Sequence, residues 1–121
     1  MGEAEARLFA KERAKVVVAD ILGDQAEAVA VSIRSSNGAA IAATIDVTSE
    51  PAWVALIAKT VETYGRLDIL VNNAGISGSS VGDPDGLEGW HRIIAVNQTS
   101  VFLGTKLAAE QMSKTGGGSI V

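Results

Sequence analysis

The sequence predicts an α/β fold built on a parallel, doubly wound sheet. Three observations carry that prediction. Segments with helically spaced apolar residues alternate with short apolar, β-branched runs in the order α-β-α-β-α-β-α-β. Alternation of this kind favours right-handed crossovers between parallel strands over hairpins. Hydrophobic residues make up 47% of the 121 residues, aromatics only 4%, and Val, Ile and Ala dominate. Such a composition suits strands covered on both faces and helices packed through small side chains.

Each element has a local cause. Residues 2–13 read as a helix, with Ala4, Leu8 and Phe9 on one face. Residues 15–20 (KVVVAD) are a β-branched run, hence a strand. Gly23-Asp24 opens a second helix with Ala26, Val29, Ala30 and Ile33 at helical spacing. Asn37-Gly38 stops it, because both residues tolerate the left-handed conformation. A second strand spans 39–45. Asp46-Val47-Thr48-Ser49 leads into a third helix, with a hydroxyl at its N-cap and Pro51 in its first turn. Trp53, Leu56, Ile57, Thr60 and Val61 form its apolar stripe, and Gly65 ends it. Residues 67–71 form a third strand, followed by a polar, glycine-rich loop over 75–89. Residues 90–112 read as one long helix with Trp90, Ile93, Ile94, Val101 and Leu107 among its apolar positions. Gly116-Gly117-Gly118 then turns the chain into a last strand, 119–121.

Composition narrows the function classes. One domain is expected at this length, with enough residues to bury a real core. The formal net charge is -4 and there is no basic run, so neither nucleic acid nor an anionic membrane surface is an expected partner. The chain has no cysteine, which excludes disulfides and thiolate chemistry and makes a reducing cytoplasm the expected location. No apolar run approaches the ~18 residues that span a bilayer. Glu3, Glu5, Lys11 and Glu12 do not fit a secretory leader. No repeat or low-complexity segment is present.

Several residues can carry chemistry. Asp20 sits at the carboxyl end of its strand, where open α/β sheets bind ligands. A carboxylate there accepts hydrogen bonds from both hydroxyls of an adenosine ribose and repels a 2′-phosphate. Taken alone, a helix-capping or loop aspartate is the better reading. Asp46-Val47 follows the next strand in the same way; a carboxylate plus a backbone amide can read the edge of an adenine ring. A charge favoured by the helix macrodipole is an equal alternative. Asn72-Asn73-Ala74-Gly75 is stronger: two amides and two small residues after a buried strand suit a backbone passing close to a flat ligand. Asn97 lies inside a predicted helix, where asparagine has poor propensity. It bends the helix, binds water, makes a site or is a buried residue satisfied by backbone, and the last reading is ordinarily favoured. His91, the only histidine, reads as a surface residue, and no metal site is expected.

Together these residues resemble the short-chain dehydrogenase/reductase family over essentially the whole chain. The matching elements are Asp20, Asp46-Val47, the NNAG at 72–75, the VN at 96–97, Phe102-Leu103-Gly104 and the GGGSIV at 116–121. The resemblance implies a partial Rossmann-type sheet in a single, incomplete NAD-binding domain over 1–121, lacking the family's first strand and its C-terminal half. It implies that Asp20 holds the adenosine ribose and favours NAD over NADP. Asp46 and Val47 would hold the adenine, and Asn73, Ala74 and Gly75 the middle of the cofactor. Asn97 would be the asparagine that positions a water in the proton relay. The substrate would be a small alcohol or ketone, and homo-oligomers would form through the helix at 90–112.

The match has departures. Gly2 aligns with the last glycine of the family's phosphate loop, so most of that glycine-rich turn is not in these residues. The family's Ser and Tyr-x-x-x-Lys are also absent; the only tyrosine is Tyr64, and four residues on stands Asp68. Lys106 has no tyrosine spaced to pair with it. Proton transfer from a positioned acid is typically worth ~10²–10⁴ in rate, so this chain alone is expected to be inactive. Without the first strand, two apolar strand edges would lack a neighbour and invite aggregation. Arg13 stands where the family usually has glycine; a positive φ there would cost ~1–2 kcal/mol. The alternative to an oxidoreductase is a non-enzymatic, truncated module that pairs with a full-length subunit of the family.

Overall fold

The computed structural model describes residues 1–121. The chain is α/β and falls into two compact units, Met1–Asp46 and Val47–Val121. Each carries one parallel, two-stranded sheet.

The first unit runs α1 (Gly2–Lys11), β1 (Lys15–Asp20), α2 (Gly23–Ser35), β2 (Ala39–Thr44). Strands β1 and β2 pair in parallel over six residues, from Lys15 opposite Ala39 to Asp20 opposite Thr44. The core is made of small residues: Ala30, Ile33 and Ala40 are buried, and Ala6, Ala10, Val16 and Val18 pack on them. α1 therefore faces inward with its alanines, and Leu8, expected on the apolar face, is 60% exposed. Alanine lets a helix backbone approach its neighbour closely, and a leucine at that depth would hold it off. Asn37 takes φ 62° at the end of α2, and Arg13 takes φ 67° between α1 and β1. The glycine-like conformation expected at Arg13 is thus adopted by an arginine.

The second unit runs α3 (Glu50–Tyr64), β3 (Ile69–Leu70), a 3₁₀ turn (Gly78–Ser80), α4 (Leu87–Ile94), a π-helical turn (Ala95–Thr99), α5 (Ser100–Ser113) and β4 (Ser119–Ile120). Ser49 caps α3, its side chain accepting from the Ala52 amide at 3.4 Å, with Pro51 in the first turn. The expected stripe is the inward one: Trp53 and Thr60 are buried, and Leu56, Ile57 and Val61 are half-buried. Gly65 closes the helix in the left-handed conformation, φ 86°.

Three sequence expectations need correction here. The strands at 67–71 and 119–121 shrink to β3 and β4, although Ser119 N–H to Asp68 O, Val121 N–H to Leu70 O and Asn72 N–H to Val121 O extend their ladder. The long helix at 90–112 starts earlier, at Leu87, and is broken by the π turn, in which the Ser100 N–H reaches back five residues to Ala95 O. Trp90 is 57% exposed. Small and large residues share the inward face: Gly89, Ser100, Gly104 and Ala108 are buried there together with Val96, Leu103 and Met112. No helix is long and apolar enough to cross a membrane.

Candidate functional site

In the first unit the parallel register brings both candidate carboxylates to one edge. β1 ends at Asp20 and β2 ends opposite it at Thr44, and the Ile45 N–H donates to Asp20 O at 3.0 Å. Asp46 follows directly, so Asp20 and Asp46 share the carboxyl end of the pair. The Asp20 side chain is exposed, and its Oδ1 accepts from the Leu22 N–H at 2.9 Å. That bond is the loop role weighed for an isolated aspartate. It uses one oxygen of the two and faces the carboxylate toward the entry of α2, which begins at Gly23.

The second unit holds the other candidates. Val47 is half-buried, and its carbonyl accepts from the Trp53 indole Nε1–H at 2.9 Å. Its own N–H donates to no acceptor of the chain. Asn73, Ala74 and Gly75 are exposed just past β3. Gly75 has no positive φ, and a Cβ there would meet only Asn97 Oδ1, at an ordinary 3.6 Å. Neither backbone conformation nor packing within the chain requires glycine at that position.

Asn97 lies in the π turn, and its side chain is spent on the loop. Its Oδ1 accepts from the Ile76 N–H and its Nδ2 donates to Ile76 O, both at 2.8 Å. The amide thus closes a two-bond clamp on the residue after Gly75, satisfying a backbone segment that lies outside any strand. Ser100, buried beside the turn, donates its hydroxyl to Val96 O at 2.5 Å. A π turn interrupts the regular i→i−4 pattern, and this hydroxyl satisfies a carbonyl there.

Sequence reasoning missed three supports. The Trp53 indole bond to Val47 has no local signature, since Trp53 read simply as core. Asn72, treated as part of a ligand loop, donates its Nδ2 to Thr105 Oγ1 at 3.4 Å. Gly104 was read only as part of the Phe102-Leu103-Gly104 match; as a helix-interior glycine it costs about 1 kcal/mol against Ala, a signal of close approach. A Cβ there would lie 2.8 Å from Asn72 Oδ1 and 2.9 Å from the Trp53 ring. His91 is exposed, and Lys106 pairs with Glu50 at 3.6 Å.

The chain resembles known proteins in both sequence and structure. The chain is 41% identical over 121 residues to a 2,5-dichloro-2,5-cyclohexadiene-1,4-diol dehydrogenase of Sphingobium indicum, covering all of this chain and 48% of that protein. It is 40% identical over 128 residues to the trans-4-hydroxycyclohexanecarboxylate dehydrogenase of Sinomonas cyclohexanicum, covering 49% of it. A crystal structure of a hydroxysteroid dehydrogenase from Escherichia coli matches with a TM-score of 0.85 and 37% identity, over 98% of this chain and 46% of that one. The chain thus spans about half the length of the relatives it matches. The family model for short chain dehydrogenases matches residues 1–121. With carboxylates at the strand ends, an NNAG segment after β3 and an asparagine clamp on the residue that follows it, the chain belongs to the short chain dehydrogenase family.

Proposed function

We propose that this chain supplies the nucleotide-binding part of an oxidoreductase acting on a secondary alcohol or its ketone, with NAD as the cofactor. When bound, NAD supplies the hydride acceptor or donor. The residues present fit such a group. Asp20, with Oδ1 held by Leu22, has its second oxygen available to the ribose hydroxyls and repels a 2′-phosphate, hence NAD over NADP. Asp46 and the Val47 N–H take the adenine edge. Asn73, Ala74 and Gly75 pass along the middle of the dinucleotide.

One observation carries the reading. Gly75 is bare although nothing in the chain crowds its Cβ and its φ is not positive. A ligand lying against the backbone accounts for that, and no contact within these residues does. Gly75→Ala is therefore expected to leave unfolding by urea within ~0.5 kcal/mol of the parent. The same variant is expected to lose at least tenfold in NAD affinity by titration calorimetry. Equal NAD affinity in the two, or no NAD binding by the unaltered chain, would sink the proposal.

Asn97 acts by position. Each polar atom of its side chain holds one bond to Ile76, which fixes in place the residue that would position a water of the proton relay. The 121 residues contain no Tyr-x-x-x-Lys, so the chain alone is expected to bind NAD without turning it over. NADH-dependent ketone reduction by the purified chain would contradict this. The named relatives share ring-bearing secondary alcohols, which supports an alicyclic alcohol as the substrate class.

Pairing through 90–112 is the second reading, as a homo-oligomer or by docking on a full-length subunit. It is supported by Trp90 and Phe102, 57% and 64% exposed on α4 and α5. Light scattering of Phe102→Ser checks the first form and size exclusion the second: a chain that is monomeric with either residue removes the homo-oligomer, and failure to co-migrate with a full-length homologue removes the docking.

A further inference from the structure

We infer that Trp53 is a positioning residue for the adenine end of the cofactor site, acting through the main chain of Val47 from a seat that requires glycine at 104. The inference rests on the reading that Val47 contacts the adenine.

The Trp53 side chain is almost wholly buried, at 6% exposure, and its one polar atom donates to Val47 O at 2.9 Å. An indole N–H in such a place needs an acceptor, and any nearby carbonyl would meet that need. The acceptor it has belongs to a candidate ligand-binding residue. With its carbonyl, in the peptide that follows it, tied to a packed ring, Val47 is anchored on one side of its Cα, while its N–H, in the peptide that precedes it, is unengaged by main-chain acceptors. A donor fixed in this way meets an acceptor nitrogen on a flat ring with less ordering than a free loop would need.

The opposite end of the indole explains why the ring stays put. Its Cζ2 and Cη2 lie 2.9 Å from the point where a Gly104 Cβ would stand, and Asn72 Oδ1 lies 2.8 Å from the same point. The ring behind Val47 and the residue before Asn73 therefore share one contact on α5. A side chain at 104 would push Trp53 or Asn72 aside, moving Val47 or the 73–75 segment. The absence of a side chain at 104 thus holds two cofactor-facing segments of the second unit in register.

A purely structural tryptophan predicts something else: its loss would weaken folding and leave the affinity of folded molecules unchanged. Trp53→Phe separates the two, because it keeps a buried ring and deletes the N–H. Adenosine 5′-monophosphate, titrated by ligand-observed NMR into the full chain, is the probe; folding is checked by far-UV circular dichroism. The expected result is a five- to tenfold weaker dissociation constant in Trp53→Phe. Trp90→Phe supplies a second readout, since it leaves Trp53 as the sole indole and replaces an exposed ring. Its emission is expected to shift on AMP saturation. Equal AMP affinity in the parent and Trp53→Phe, or a Trp53 emission that stays constant while AMP binds, overturns the inference and leaves the cofactor reading standing. An unaltered chain that binds neither AMP nor NAD brings down both.

Discussion

Residues 1–46 and residues 47–121 belong to one chain but are held together by different kinds of bond. In the first unit, six-residue parallel strands and two helices satisfy the backbone, and small apolar residues fill the space between. Its candidate ligand-binding side chain, Asp20, is exposed and bonds only to a neighbouring turn. In the second unit the strands are two residues long, and side chains at the candidate site and beside it close onto main chain: Asn97 onto Ile76, Trp53 onto Val47, Ser100 onto Val96. Function and fold are therefore separable in the first unit and share residues in the second. Substitutions near the site should be tolerated before residue 47 and, at the packed positions, felt after it; Gly75, where an added Cβ would meet nothing closer than 3.6 Å, is the exception.

The most severe test of that contrast is Gly104→Val. Valine gains some helix propensity over glycine, a few tenths of a kcal/mol. Its Cβ would intrude on the Trp53 ring and on Asn72 Oδ1, and overpacking a filled site typically costs ~1–3 kcal/mol. Two β-branch carbons put the expected loss near the top of that range. Urea unfolding followed by circular dichroism measures it. A loss under about 0.5 kcal/mol would mean that the second unit yields as readily as a surface.

Asn97→Ala comes next. It removes both bonds of the Ile76 clamp, and hydrogen bonds net ~0.5–1.5 kcal/mol each. Asn97 is exposed, so water can replace part of what is lost, and about 1–2 kcal/mol is expected. The sharper signature is local: amide hydrogen exchange at Ile76 should accelerate at least tenfold while exchange within β1 stays as it was. Uniform acceleration through both units would erase the distinction between them.

How much of this was legible follows the same division. β1 lies where its β-branched run stands, and α3 ends at Gly65, because period, cap and breaker are local signals. The carboxylates of Asp20 and Asp46 were legible as site candidates because a strand end is a place that sequence can mark. The inward faces of α1 and α4 were misread for a physical reason. Hydrophobicity ranks Leu8 and Trp90 above Ala6 and Gly89, whereas close packing selects the smaller residue. The π turn was illegible: the residue that Asn97 bonds from within it lies 21 residues earlier in the chain. Poor helix propensity at Asn97 flagged a disturbance, with bending and site-making among the outcomes, and could not say which partner resolved it.

A smaller effect is expected at the head of α3. The Ser49 side chain accepts from Ala52 N–H at a long 3.4 Å, so Ser49→Ala should fall at the low end for a lost N-cap, ~0.5–1 kcal/mol. Ser49 precedes Trp53 by one turn, and the Trp53 N–H donates to Ser49 O at 3.2 Å. Fraying there should also redden the emission of Trp53 in a Trp90→Phe background. Loss of stability without that shift would confine the change to the cap itself.

The smallest effect has the opposite sign. Arg13 holds φ 67° with a Cβ that opposes it, whereas Asn37, at φ 62°, belongs to a residue type that visits this region routinely. Arg13→Gly removes ~1–2 kcal/mol of backbone strain and adds unfolded-state freedom worth ~0.5–1 kcal/mol. Strain relief outweighs the added freedom, so a net gain of about 0.5 kcal/mol is expected. Asn37→Gly gives up the same freedom with little strain to relieve, and should be neutral or slightly destabilising. Arg13 is exposed and outside every ion pair of the first unit, whose pairs join Arg7 to Glu3 and Arg34 to Glu27. The difference between the two variants therefore isolates the backbone. If urea unfolding ranks Asn37→Gly at or above Arg13→Gly, the arginine is not strained, and backbone conformation is not where the first unit stands to gain stability.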